Sequence, residues 1–105
     1  MPEEVEVELT YYAGDVKRQR GIDISEDEVR RICSEKGATL KAFNVATQFT
    51  IKKISLLISG EEDKFREAVK SIVGLYGKPG LPGLAFGKMK KGKQIAESII
   101  KELGA

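Results

Sequence analysis

Eight cations carry most of the chemistry that this sequence offers. Lys17, Arg18 and Arg20 cluster in the polar stretch AGDVKRQRGID, residues 13–23, and Lys78, Lys88, Lys90, Lys91 and Lys93 lie in GKPGLPGLAFGKMKKGK, residues 77–93. The second stretch contains no acid at all. Lysine and arginine massed in this way hold phosphate groups, with an affinity that falls steeply as salt rises. Tyr12 and Phe86, which stand close to these clusters in sequence, and Phe49, at the connection between the second and third expected strands, are candidate surfaces for base stacking. The plainer reading of the same residues is that lysine-rich loops keep a protein soluble and blunt the edge of a sheet.

Chemistry beyond charge finds little support. With no histidine and one cysteine, Cys-His and Ser-His-Asp catalysis and a zinc site of ordinary composition are excluded. Cys33 stands in helical register with Val29 and Ile32, the position of a buried structural thiol. Asp15, Asp23, Asp27 and Glu28 are the only acids clustered near a loop. Asp27 and Glu28 suit the first turn of a helix better than a magnesium site. A phosphate-binding P-loop is ruled out because Gly83 precedes Gly87-Lys88 by too few residues and Met89 replaces the hydroxyl. The dinucleotide fingerprint fails too, since Gly80 and Gly83 lack a strand-to-helix context. The expectation is a non-enzymatic chain with no metal and no cofactor.

Composition narrows the class. A chain of 105 residues is one domain, and a net charge of +2 is too small to imply nucleic acid by itself. Abundant Lys and Glu, one asparagine and no tryptophan make the composition thermophile-like. MPEEVEVELT has neither the basic nor the apolar region of a signal peptide, and no apolar run approaches the ~18–20 residues that span a bilayer. A cytoplasmic protein with no membrane partner is expected, its single cysteine giving no reason for an oxidising compartment.

The elements that must position these residues follow from periodicity. Glu4–Tyr12 alternates strictly, with Val5, Val7, Leu9 and Tyr11 on one face and Glu4, Glu6 and Glu8 on the other: a half-buried strand. Ser25 and Glu28 form a capping box, and Ile24 with Val29 a hydrophobic staple, for a short helix that Gly37 ends. Thr39–Thr47 and Phe49–Ser59 read as two further strands. The apolar phase of the latter switches at Lys52-Lys53, which predicts a β-bulge there. In ISLLISGEEDKFREAVKSIVGLYG, residues 54–77, Ser59 and Glu62 stand at capping-box spacing before an amphipathic helix, with Gly74 and Gly77 as candidate stops. Leu84-Ala85-Phe86 is a candidate edge strand within the 77–93 loop, and Gln94–Leu103 forms a terminal helix with an isoleucine-rich stripe.

This order is that of a ferredoxin-like α+β sandwich, βαββα(β), with an added C-terminal helix. The crossover rule makes the first two strands parallel, with the third antiparallel beside both. Glu4, Glu6 and Glu8 are then expected across from Lys52 and Lys53. Residues 13–24, 47–49 and 77–93 should emerge at one end of the sheet, which would gather the eight cations into a basic rim. That rim defines the first functional reading, a small binding module for nucleic acid or another phosphate-bearing ligand. Because the wet strand face carries glutamates, nucleic acid would bind at the loop edge and not across the sheet. The terminal stripe packs on its own chain or on a second subunit, giving a homodimer. Over residues 4–76 the layout also resembles the small ligand-sensing modules of the ACT and NIL type: strand, loop, helix, two strands, then Gly60-Glu61-Glu62 leading into the next helix. The resemblance implies the alternative, a regulatory or assembly domain that oligomerises and binds a small molecule. It names no site residues.

Overall fold

The computed structural model describes residues 3–13, 24–48 and 51–104. Their elements in chain order are β1 (Glu4–Ala13), α1 (Glu26–Glu35), β2 (Thr39–Gln48), β3 (Ile51–Glu61), α2 (Glu62–Tyr76) and α3 (Lys88–Leu103). β3 lies between β1 and β2 and is antiparallel to both, so the two outer strands run the same way, as expected. Over the described residues the fold is α+β, with a three-stranded antiparallel sheet and three helices.

Alternation in β1 turns Val5, Val7, Leu9 and Tyr11 onto the buried face, where they meet Ile54, Leu56 and Ile58 of β3. The stripe Phe65, Ala68, Val69, Ile72, Val73 and Tyr76 places α2 on that face, between α1 against β2 and α3 against β1. Each large side chain fully buried there contributes about 1.5–3 kcal/mol. The β-bulge is not at Lys52-Lys53. It falls in β2 between Leu40 and Ala42, and it lets even-numbered Leu40 and odd-numbered Phe43 face the same side. Residues 51–53 of β3 are exposed, so no burial demand sets their phase.

Charge on the open face is also arranged differently from expectation. Glu4, Glu6 and Glu8 lie opposite Glu61, Ser59 and Leu57, while Lys52 and Lys53 lie opposite Ala13 and Tyr12. Glu6 is answered instead by Lys41 at the bulge, 3.2 Å away.

The helix ends follow from local chemistry with one exception. The Ser25 hydroxyl accepts the Glu28 N–H at 3.4 Å, and Ile24 and Val29 are both buried, which completes the staple. At the other end Gly37 takes φ 81°, with the Ala38 N–H on the Cys33 carbonyl and the Gly37 N–H on that of Ser34, a Schellman pair. The exception is Ser59, which stays in the β3 ladder between Glu6 and Thr39. Glu61 is the N-cap of α2, with no side-chain cap bond. α2 runs through Gly74 and stops at Gly77.

The fourth strand expected at Leu84-Ala85-Phe86 is absent among the described residues. Gly80 alone pairs with Thr10, through both backbone bonds at 3.0 and 2.7 Å. The remaining outer edge of β1 is taken by α3, which begins at Lys88, six residues before the expected Gln94. Gly92 explains the contact, because a Cβ there would lie 2.0 Å from the Glu6 carbonyl oxygen.

Candidate functional site

Gly92 lies beside Glu6, while Glu97, Ile100 and Lys101 share a pocket with Gly80, which bridges Thr10; α3 therefore runs along β1 in the same sense. Lys88, Lys90, Lys91 and Lys93 therefore stand at the Glu3–Glu6 end of β1, where Lys91 pairs with Glu3 at 3.2 Å. Lys78, two residues before the Gly80 bridge, stands toward the Ala13 end. Glu6 and Ala13 are about 23 Å apart along the strand. Lys17, Arg18 and Arg20 lie outside the described residues, as does Phe49. The described cations are thus not gathered at one end of the sheet; they extend along α3.

Lys78, Lys90 and Lys93, joined by Lys101, line a groove between α3 and the segment 78–85, while Lys88 and Lys91 stand outside its walls. One part, about 490 Å³, is walled by Lys78, Pro79, Gly80, Leu81, Glu97, Ile100 and Lys101. The next, about 220 Å³, is walled by Gly83, Leu84, Ala85, Lys90, Lys93, Gln94 and Glu97. Glu97 belongs to both, so the two parts are neighbours along α3. From Lys90 to Lys101 the groove follows about 16 Å of helix.

Its loop wall is pinned at several points. The Tyr11 hydroxyl donates to the Gly77 carbonyl at 2.7 Å, Thr10 holds Gly80, and Lys93 Nζ donates to the Gly83 carbonyl at 3.3 Å. Tyr11 meets Tyr76 edge to face at 6.1 Å, and the Tyr76 hydroxyl donates to the Glu28 carboxylate. This joins β1, the end of α2 and the start of α1. Burial pushes the Tyr11 hydroxyl well above its usual pKa, with a smaller push from Tyr76. Tyr76 is pushed up as well, by burial first and then by the bond to Glu28. Both hydroxyls remain donors through the neutral range.

Electrostatically, the start of α3 is set against its own helix. A helix N-terminus carries partial positive charge, so each cation in the first turn costs about 0.3–1 kcal/mol. Here the first turn has no acid, and the N-cap is Gly87 at φ 58° with no side-chain bond. The Met89 and Lys90 N–H groups share the Phe86 carbonyl at 3.2 and 3.4 Å. Immediately before this turn, Leu84 and Phe86 are 82% and 80% exposed. Tyr12, 54% exposed, lies on the open sheet face opposite Lys53, away from the groove.

Glu97 and Lys101 line the groove without a signal in the sequence, and Leu84, expected in an edge strand, lines it as well. Lys90, Lys93, Gln94, Glu97 and Lys101 fall at helical offsets 0, 3, 4, 7 and 11, a face that becomes visible once the helix starts at Lys88. Cys33 is buried, its thiol pushed up to about 11 by that burial against the opposing charge of Arg30. Among the described residues no cluster of His, Cys, Asp and Glu has the makings of a metal site, and no helix is long and apolar enough to cross a membrane. Comparison of the chain with protein families, curated proteins and solved structures finds no match.

Proposed function

We propose that this chain is a non-enzymatic binding module whose α3 groove takes a phosphate-bearing polyanion. The observation that carries the reading is the opening of α3. Lys88, Lys90 and Lys91 stand in a first turn that has no acid, where their charge opposes the helix dipole, and Lys93 follows in the second turn. Lys78 and Lys101 continue the positive lining. A polyanion in the groove neutralises charges that the fold itself leaves in conflict. We read the architecture as a single-domain ferredoxin-like sandwich whose fourth strand has shrunk to the Gly80 bridge, leaving α3 to cover the edge.

Retention on heparin tests this. The protein is expected to bind at low salt and elute by moderate salt. Changing Lys78, Lys88 and Lys90 to alanine should advance its elution. Changing Arg31 and Lys36 to alanine, on the α1 side of α2, should leave elution nearly unchanged. Equal effects of the two sets, or no retention at low salt, would refute the reading.

A second reading, the ACT- or NIL-like assembly domain, draws on a different observation. No strand among the described residues pairs with the outer edge of β2, and its stretch Phe43-Asn44-Val45-Ala46-Thr47 has neither charge nor proline to protect it. In that reading two copies join at this edge and a small molecule binds at the junction.

A further inference from the structure

The exposed side chains beside the groove identify which polyanion it suits, an inference that rests on the phosphate-binding reading above. Phe86 and Leu84 keep large apolar surfaces in water at the mouth of a cationic groove, on a segment held in place by the Gly80 bridge and the Lys93–Gly83 bond. Lys88 follows Phe86 by two residues, so an aromatic ring and a phosphate-binding ammonium leave the backbone at neighbouring points. We infer that the groove and its rim bind single-stranded nucleic acid, with a base stacked on Phe86, the nearby phosphates on Lys88 and Lys90, and the strand continuing along the groove toward Lys78.

Three features favour this ligand. An aromatic ring can stack only on a base that is free of its own neighbours, so a single strand fits and a closed duplex does not. The cations line a concave track, which suits a flexible backbone better than a flat anionic bilayer. Glu97, in the middle of the track, repels phosphate but accepts hydrogen bonds from base N–H groups. A simple sulfated or phosphorylated polymer cannot supply those.

Fluorescence anisotropy with a labelled oligothymidylate provides the test, with heparin retention and flotation with phosphatidylserine vesicles run in parallel. The wild-type chain should bind the oligonucleotide. Phe86→Ala should weaken it by about tenfold, an effect within the usual range for loss of one stacking platform. The same variant should leave heparin retention unchanged, because heparin has no bases, and Phe86→Trp should restore oligonucleotide binding. Lys88→Ala with Lys90→Ala should weaken both. Because Phe86 is largely exposed, these variants should keep the fold, which circular dichroism checks. Normal oligonucleotide binding by Phe86→Ala would overturn the inference while leaving the phosphate reading intact. So would tighter binding of duplex, or vesicle flotation that depends on Phe86 without oligonucleotide binding. Loss of heparin retention in the wild type would remove both.

Discussion

At Gly92 a helix backbone and a strand backbone come so close that the smallest side chain does not fit. Gly92→Ala places a methyl group 2.0 Å from the Glu6 carbonyl oxygen, and neither backbone can swing aside as a side chain could. Overpacking of this kind costs about 1–3 kcal/mol, while alanine returns about 1 kcal/mol of helix propensity. The expected result is a net loss of up to about 2 kcal/mol, seen as a lower urea midpoint with an unchanged slope. A midpoint that rises would mean α3 does not lie on β1. This single residue also shows why the start of α3 was hard to read. Glycine and four lysines near a helix start count against a helix by propensity and by dipole, and only the tertiary contact explains them. The Tyr76–Glu28 and Tyr11–Gly77 bonds were illegible for a related reason, joining residues 48 and 66 positions apart. Local signals fared better: Ser25, Ile24, Val29 and Gly37 marked both ends of α1 because capping is decided within a few residues.

The elements show the same division. β1 was legible because its alternation reports a burial pattern directly. The bulge was placed on the wrong strand because the phase of β3 was inferred from residues 51–53, where exposure on both faces removes the demand for alternation. The true signal, Leu40 against Phe43 and Val45, lay in β2. Of the expected basic rim, the 88–93 lysines lie at the start of α3, and their position depends on an element start that packing decides. That start yields a prediction of its own. Replacing Lys88 by glutamate turns an unfavourable first-turn charge into a favourable one, so α3 should gain about 0.5 kcal/mol. Heparin retention should weaken in the same variant. Thermal denaturation beside the column measurement reads both, and a variant that becomes less stable would contradict the assigned helix start.

For the whole molecule, the assembly reading concerns the flank of the sheet opposite α3. If two copies pair at β2, sedimentation velocity should reveal a dimer whose population rises with concentration. Val45→Lys should shift it toward monomer without unfolding it, because Val45 is already half exposed. A wild-type chain that stays monomeric at every concentration would dispose of that reading. Whatever the outcome, the two flanks are not equivalent. On β1, Gly80 and α3 occupy the row of backbone groups that a neighbour would need. A fibril grows by offering a fresh docking row after each addition. Here each incoming copy would use on arrival the one row that the described strands leave open, so strand-by-strand association would terminate as a closed pair instead of propagating.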